Sequence, residues 1–404
     1  MIKNKKVILF ICQSIEDDDD AQHLYNILSY IDQERYIPIA YLPAEKGSLS
    51  SRLRDENICK VIIEKHLHPY RKFKRIPGNP LLITNFIQRT VLITKKLTGL
   101  IYLSLFKLPY IIQKEKTDVL YSYKTTVFFM TFVAGLITLT EVVHHVKILP
   151  GKFSRYPLKM VTATPVIKKI ICASKYAMDH YPVNPNKATV IYDGIDTTEF
   201  RKSSINGQLR NAHHIPKEAI VVGVAGSVMC EQGFIHFLRA GKIAIEACQD
   251  YDLRLVMMVW LTDSDEMKPL NDLKYLAKEM NINQKVILIV SNTDLNIYYV
   301  DLDILVIPAL WPDSSSKILL EGMALSLPVI AYGTGSIPEI VDNNYTGLLY
   351  KPGDYVNLGK GMIQLAKHKY LRALMGAAGR ERVEKYFDIF MKTWEIEDVL
   401  FNTL

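Results

Sequence analysis

Short apolar runs alternate with helix-like patterns in the first half of the chain. Residues 7–12, 37–41, 61–63, 119–121 and 142–144 form runs of strand length that are mainly apolar. Between Asp18 and Ile31, apolar residues instead recur every three or four positions, which is the spacing of one helix face. A strand, a loop, a helix and a second strand in this order predict a βαβ unit.

A second alternating series begins after a polar stretch. A strand is predicted at residues 169–173, whereas residues 201–215 carry no apolar periodicity and are the predicted linker. The later runs of strand length are residues 220–224, 254–259, 286–290, 304–307, 329–332 and 347–350. This pattern predicts an α/β protein with two doubly wound parallel sheets, which bind ligands at the carboxyl ends of their strands.

The predicted domains are therefore residues 1–200, residues 201–385 and a closing helix over residues 386–404 that packs back toward the first domain. We expect the two sheet domains to face each other across a cleft, and we take that cleft as the expected ligand site.

Composition and length are those of a globular protein. The chain has 404 residues, of which 49% are hydrophobic and 23% charged, with a net charge of +7. Its five cysteines form no CxxC pair, so buried free thiols in a reducing compartment are expected rather than disulfides or a metal site. The apolar run after the first lysines is too short for a signal-peptide core, and a cytoplasmic protein is expected. Residues 126–140 lack charge but are fewer than the ~20 needed to cross a bilayer, so they predict a buried helix.

Four segments carry the motifs of the chain. They are VIYDGIDTTEF (190–200), VVGVAGSVMCEQGFIHFLRA (221–240), WPDSSSKILLEGMALSLPVIAYGTGSIPEIV (311–341) and DNNYTGLLYKPGD (342–354). In this order and spacing they resemble glycosyltransferase family 4, whose members have the GT-B fold of two Rossmann-like domains. The resemblance extends along nearly the whole chain. It implies a retaining transferase that moves a sugar from a nucleotide diphosphate donor to a glycan or lipid-linked acceptor, with the nucleotide sugar as co-substrate and no cofactor or metal.

Asp313 and Glu321 form a pair of acids eight positions apart, with three serines between them. A departing diphosphate gains negative charge, so a protein that catalyses the transfer must direct N–H groups and cations at it. Ser315 and Ser316 lie at the start of a predicted helix over residues 317–325, where the unpaired N–H groups and the helix dipole favour an anion. In the alternative interpretation the serines only cap a helix, and Glu321 lies on a solvated face.

The resemblance assigns a role to each position that matches the family pattern. Glu321 would bind the ribose, Asp313 and His145 would contact the transferred sugar, and Gly226 would allow close approach of the backbone. The positions expected around the nucleotide and its diphosphate are Ser227, Gln232, Ser315, Ser316 and Lys317.

Several of these positions depart from the family pattern. Members typically carry Arg and Lys where this chain has Ser227 and Gln232, and removing one preorganised donor commonly costs ~2.7 to 4 kcal/mol in the transition state. Asp313 replaces a Glu. We therefore keep a second hypothesis, a catalytically degenerate GT-B scaffold that acts as a binding or regulatory subunit. If a cation compensates, we expect Lys317 or Lys147 to point into the cleft between the domains.

An acidic run follows the first predicted strand, where the family commonly has glycines. Asp17 to Asp20 would be repelled by a diphosphate ~4 Å away by roughly 4 kcal/mol per charge pair. They could cap and solvate the first helix, coordinate Mg²⁺ or Ca²⁺, or face a cationic partner.

Residues 65–75 (KHLHPYRKFKR) are basic and aromatic, with five Lys or Arg and no acid. Such a stretch suits an anionic membrane surface or a lipid-diphosphate acceptor, and a solvated loop is the alternative. Nucleic acid is not expected as a partner because no recognition motif accompanies the charge. We accordingly expect a cytoplasmic protein that can lie at the inner face of the membrane.

Overall fold

The computed structural model describes residues 5–13, 19–43, 48–67, 98–123, 125–147, 149, 155–202, 207–227, 233–260, 267–291, 295–312 and 317–403. The chain forms two compact units. The N-terminal unit consists of Met1–Tyr192 together with Lys392–Leu404, and the C-terminal unit consists of Asp193–Met391. The chain thus changes unit eight residues before the predicted boundary at residue 200, and six residues after the one predicted at residue 385.

The N-terminal unit contains a seven-stranded sheet in the order β3-β2-β1-β4-β5-β6-β7. Every pair in it is parallel. The strands are β1 (Lys6–Ile11), β2 (Tyr36–Leu42), β3 (Lys60–Ile63), β4 (Val119–Tyr123), β5 (Glu141–Val146), β6 (Ile167–Cys172) and β7 (Ala188–Val190). The order reverses between β1 and β4. Sheets of this kind bind ligands outside the carboxyl ends of the strands at such a reversal.

Helices cover both faces of this sheet. They are α1 (Asp19–Tyr30), α2 (Ser48–Asp55), α3 (residues 98–115), α4 (Thr125–Thr138), α5 (Arg155–Ala163) and α6 (Lys175–His180). Helix α3 contains a π-helical turn at Leu103–Lys107 and continues as Leu108–Glu115. Alternate residues of β1 enter two different apolar clusters, Leu9 on one face and Ile8 on the other, as a strand buried on both faces requires.

The C-terminal unit contains a six-stranded sheet in the order β10-β9-β8-β11-β12-β13, and all of its pairs are parallel. Its strands are β8 (Ile220–Ser227), β9 (Leu253–Trp260), β10 (Val286–Ser291), β11 (Ile304–Ile307), β12 (Val329–Tyr332) and β13 (Gly347–Tyr350). The helices that follow in chain order are α7 (Leu209–Ala212), α8 (Phe234–Ala247), α9 (Met267–Glu279), α10 (Lys317–Ala324), α11 (Ile337–Ile340), α12 (Tyr355–Lys367), α13 (Lys369–Tyr386) and α14 (Ile389–Thr403). Here the strand order reverses between β8 and β11.

The predicted α/β class with two parallel sheets is confirmed. The uncharged run 126–140 lies mainly in α4, whose residues Val127 and Phe128 are buried, whereas Ile137 near its end is half exposed. Among the residues that the structure describes, no helix is long and apolar enough to cross a membrane. Four of the cysteines (Cys12, Cys59, Cys172 and Cys248) have free thiols, and Cys230 lies outside the described residues.

Candidate functional site

A glycine brings two loops together at the carboxyl edge of the C-terminal sheet. Gly233 precedes α8 and has a left-handed φ of +74°. A Cβ at this position would lie 1.9 Å from the carbonyl oxygen of Pro308, which follows β11. Only glycine allows this approach, so the start of α8 is held beside the loop after β11 at the point where the strand order reverses.

Two of the predicted nucleotide-site positions lie at the end of the neighbouring strand. Gly226 and Ser227 are the last residues of β8 and pair with Val259 and Trp260 of β9. Gly226 is buried and Ser227 is half-buried. The structure therefore places both of them at the same edge of the sheet as Gly233, which is the edge where such sheets bind ligands.

Glu321 is a buried acid one turn into α10. Only 2% of Glu321 is exposed, and its Oε1 lies 3.5 Å from Nζ of Lys317 at the start of the same helix. Helix α10 packs tightly on β11, because a Cβ on Gly322 would come within 2.2 Å of the Leu305 side chain. The alternative in which Glu321 lies on a solvated face is wrong, since tight packing buries this part of the helix.

Arg380 fixes the end of α10 to the segment that enters the C-terminal unit. Its guanidinium donates to the carbonyl oxygens of Ala324 and Phe200 at 2.5 Å and to that of Thr197 at 2.6 Å. In the same segment, Oδ1 of Asp196 accepts hydrogen bonds from the backbone N–H and the hydroxyl of Thr198. These contacts hold residues 196–200, which belong to the C-terminal unit, next to the helix that carries Glu321.

Sequence reasoning missed a polar pair at the same edge. Nδ1 of His236, in the first turn of α8, lies 2.9 Å from the hydroxyl of Tyr332 at the end of β12. The ring of Tyr355 meets that of His236 edge-on at 5.8 Å. Burial and the charge of Arg239 lower the pKa of His236, which favours the neutral imidazole. The sequence feature that could have identified His236 is its position three residues after Gly233.

In the N-terminal unit, His145 is enclosed by three rings. Its Nδ1 lies 2.8 Å from the Tyr121 hydroxyl, and the Tyr123 ring stacks on it at 5.5 Å with an interplanar angle of 20°. His23, from α1, meets the His145 ring edge-on at 5.0 Å. Burial, followed by the charge of Lys147, lowers the pKa of His23 well below its usual value. The cluster lies at the carboxyl ends of β4 and β5, near the reversal of strand order between β1 and β4.

The strand that carries His145 and the start of α1 change two expectations. The strand predicted over residues 142–144 continues to Val146, so His145 lies within β5. Lys147, directly after the strand, is buried. Helix α1 begins at Asp19, within the acidic run, and Asp20 is only 8% exposed. Solvation of the first helix therefore cannot be the role of Asp20.

Other predicted positions lie outside the described residues. They are Asp313, Ser315, Ser316 and Gln232 in the C-terminal half, and Asp17, Asp18 and residues 68–75 in the N-terminal half. Their assigned roles remain predictions, as does the expectation that Lys317 or Lys147 points into a cleft.

Comparison with known proteins finds one family model and several related transferases. Residues 206–382 match the family model described as glycosyl transferases group 1. The capsular polysaccharide biosynthesis glycosyltransferase CapM of Staphylococcus aureus is 26% identical over 54% of this chain and 56% of its own length. An uncharacterized glycosyltransferase of Methanocaldococcus jannaschii, MJ1178, is 25% identical over 87% of this chain and 93% of its own. The match to CapM thus spans little more than half of that relative.

Solved structures share the architecture. A glycosyltransferase from Rickettsia africae superposes with a TM-score of 0.75 at 18% identity, and the alignment covers 98% of this chain and 99% of that one. Anabaena Alr3699/HepE in complex with UDP also gives a TM-score of 0.75, at 16% identity, with 98% and 100% of the two chains covered.

The two parallel sheets, each with a reversal of strand order at its carboxyl edge, define a protein of the GT-B fold. Its residues 206–382, which include Gly226, Gly233 and Glu321, match the family model described as glycosyl transferases group 1.

Proposed function

We propose that this protein transfers a sugar from a nucleotide diphosphate donor to a glycan or lipid-linked acceptor, with retention of configuration at the anomeric carbon. The observation that carries the proposal is the buried carboxylate of Glu321, one turn into α10, within the segment that matches the group 1 family. A buried carboxylate is costly unless polar partners or a ligand balance it, and two hydroxyls of a ribose are suitable donors.

Few groups are proposed to stabilise the negative charge of the diphosphate. The N-terminus of α10, with Ser315, Ser316 and Lys317, would hold the diphosphate, since the helix dipole and the unpaired N–H groups favour an anion there. Lys317 is partly exposed and lies beside Glu321. Its ammonium group can therefore pair with the carboxylate and also bind an incoming phosphate. In the retaining mechanism that the resemblance implies, the leaving phosphate accepts the proton of the acceptor hydroxyl, and no protein nucleophile is needed.

The remaining residues of the proposed site would contact the transferred sugar and the nucleotide. Asp313 and His145 would bind sugar hydroxyls, with His145 held in place by the Tyr121 hydroxyl. Gly226 and Gly233 would let the backbone approach the nucleotide, and Ser227 and Gln232 would contact the diphosphate without adding charge.

Calorimetric titration with uridine and guanosine nucleotide sugars tests the proposal. Uridine nucleotides come first because related structures contain UDP and UDP-glucose. Glu321→Gln should weaken nucleotide binding by about 10 to 100-fold, the effect of losing hydrogen bonds to a charged group. The matched control is Glu246→Gln, on the exposed side of α8, which should bind as the native chain does. Equal affinity of the two variants would contradict the proposal.

Retention requires a separate measurement. Once a donor and an acceptor are found, proton NMR of the first product formed distinguishes the two anomers by their coupling constants. A product with inverted configuration would contradict the retaining mechanism and leave the transfer itself untouched.

Ser227 favours a second candidate, a degenerate GT-B scaffold. It stands at the end of β8, where the family typically places a cation, and it carries no charge. If the native chain binds no nucleotide at millimolar concentration and Glu321→Gln changes nothing measurable, the scaffold interpretation is supported.

A further inference from the structure

Helix α3 presents large apolar side chains on both of its faces. Leu103, Leu108 and Ile112 are buried and belong to an apolar cluster that includes α4. The opposite face is exposed, and its side chains are Ile101 (47%), Tyr102 (46%), Leu105 (42%), Phe106 (65%) and Tyr110 (58%). A surface helix normally carries polar or charged residues on this face. The outer face of α3, defined by these five residues, is therefore an exposed apolar patch of the kind that marks an interaction surface.

A π-helical turn forms the centre of this face. The N–H of Leu108 donates to the carbonyl of Leu103, five residues earlier. π-turns are rare and occur frequently at functional sites. The rings of Tyr102 and Phe106 are 6.3 Å apart, so the aromatic side chains lie next to each other on the outer face.

The sequence around this helix has a strong charge bias. Residues 65–114 contain ten Lys or Arg and neither Asp nor Glu. Ten positive charges exceed the net charge of +7 for the entire chain, so the rest of the protein is net negative. Lys107 and Lys114 belong to α3 itself. The positive charge is thus concentrated in the segment that also exposes the aromatic and aliphatic side chains.

We propose that the outer face of α3 docks on an anionic lipid bilayer. Its apolar side chains would enter the boundary between headgroups and acyl chains, the tyrosine hydroxyls would stay at the headgroup level, and Lys107 and Lys114 would meet lipid phosphates. Each basic residue near an anionic membrane surface contributes on the order of 1 kcal/mol, and the contribution falls off within a Debye length.

The charge bias also argues against a partner protein and against a second copy of this chain as the occupant of this face. Lysine is depleted at the centre of protein interfaces, whereas it is characteristic of helices that lie in a membrane surface. A symmetric dimer through this face would bring two basic segments of the same sign together. An anionic bilayer satisfies the apolar and the charged requirement at once.

Membrane docking goes beyond the proposed transfer and does not depend on it, because the outer face of α3 contains none of the predicted nucleotide-site residues. Vesicle binding can therefore be measured without nucleotide, and nucleotide titration can be repeated without vesicles. Failure of one measurement leaves the other interpretable.

Vesicle flotation tests the proposal with the native chain. Phosphatidylcholine vesicles are compared with vesicles of phosphatidylcholine and phosphatidylglycerol, at low and at high salt. The partition coefficient onto anionic vesicles should be at least about tenfold higher than onto neutral ones and should fall at high salt. No binding, or equal binding to both kinds of vesicle, would overturn the proposal.

A pair of matched variants tests the location of the docking face. Phe106→Ser with Tyr110→Ser should lower the partition coefficient by about tenfold or more, because two interfacial aromatic rings are lost. The control is Tyr275→Ser with Tyr370→Ser, which removes two similarly exposed rings (64% and 76%) from the C-terminal unit and should bind as the native chain does. Equal loss in both variants, or none in the first, would overturn the assignment. So would a change from dimer to monomer in the first variant alone during sedimentation without vesicles.

Discussion

Two adjacent histidines show how the direction of a side chain determines its role. His144 and His145 are neighbours in β5, and side chains alternate between the two faces of a strand. His145 points to Tyr121, Tyr123 and His23, at the edge where ligands of such sheets bind. His144 stacks on Phe128 in the core at 4.1 Å. His145 thus lies fully buried among these rings at the carboxyl edge of the sheet, and His144 packs in the core.

Tyr121→Phe tests the support of His145. The substitution keeps the ring between Phe10 and Tyr123 and removes the hydroxyl that lies 2.8 Å from Nδ1 of His145. We expect the free energy of unfolding of the N-terminal unit to fall by about 1 to 3 kcal/mol, because a buried hydrogen bond is lost without a change of volume. Hydrogen exchange of the β4 and β5 amides measures the loss.

The same variant shows whether the Tyr121 hydroxyl positions His145 for the reaction or only stabilises the fold. If His145 contacts the sugar as proposed, Tyr121→Phe should lower the turnover and leave the nucleotide affinity unchanged. Tyr275→Phe, at an exposed position, should change neither stability nor turnover. Unchanged turnover in Tyr121→Phe would show that the hydroxyl does not position a residue that acts in the reaction.

His144 makes the N-terminal unit sensitive to acid. Burial lowers the pKa of His144 to about 3, whereas in the unfolded chain it is about 6.5. Between these values the unfolded chain holds the proton and the native chain does not, so the free energy of unfolding falls as the pH falls. The expected slope is about 1.4 kcal/mol per pH unit below ~6, and His23, whose pKa is also lowered by burial, acts in the same direction.

Hydrogen exchange of β4 and β5 between pH 7 and pH 5, corrected for intrinsic rates, measures this slope. His144→Leu should reduce the slope because it removes one titrating group, and His213→Gln, at an exposed position, should leave it unchanged. A native chain whose stability does not change over this range would contradict the argument.

At the scale of elements, apolar runs located the strands well. The predicted strands at 304–307, 329–332 and 347–350 coincide with β11, β12 and β13, since buried parallel strands are continuous apolar runs. The edge strand β7 and helix α2 were not predicted. Strand β7 has only three residues, and SLSSRLRD in α2 carries little apolar periodicity.

The sequence predicted those residues of the candidate site that belong to short motifs, but not the contacts between residues far apart in the chain. Gly226, Ser227 and Glu321 belong to recognisable motifs, and the structure places the first two at the edge predicted for them. The partners of His145 are Tyr121 and Tyr123 in β4 and His23 in α1, which are 24, 22 and 122 residues distant. Register and packing bring them together, and no spacing along the chain encodes that contact.

Gly233→Ala tests the close approach that the start of α8 requires. A non-glycine residue in the left-handed region costs roughly 1 to 2 kcal/mol, and the added Cβ would also collide with the Pro308 carbonyl. We expect a loss of stability of more than about 2 kcal/mol and weaker nucleotide binding. Gly353→Ala is the matched control, because its φ is +89° and nothing lies within 4 Å of its Cβ. Urea unfolding of the C-terminal unit should therefore show a smaller loss in the control, and equal losses would mean that the collision with Pro308 is relieved at no cost.

At the scale of the whole molecule, the N-terminal unit is assembled from both ends of the chain. Lys392–Leu404 belongs to it, although the preceding residues of α14 belong to the C-terminal unit. Glu397 accepts a hydrogen bond from the backbone of Asp32 at 2.7 Å, and the Tyr36 hydroxyl donates to the Glu397 carbonyl. Ile396 and Leu400 lie in the same apolar cluster as residues of β1 and α1. The N-terminal sheet therefore lacks part of its core until the last helix is made.

Leu400→Ala tests this dependence. Leu400 is fully buried, so truncation should cost the N-terminal unit about 2 to 5 kcal/mol through lost contacts and a cavity. Trp394→Ala, on the same helix, removes a larger side chain that is 70% exposed, and it should cost little. Hydrogen exchange should show faster opening of β1 and α1 in Leu400→Ala while β8 and β9 keep their native protection. Equal loss in both units would mean that the last helix stabilises the entire molecule, and no loss would mean that its apolar face contributes nothing to the N-terminal core.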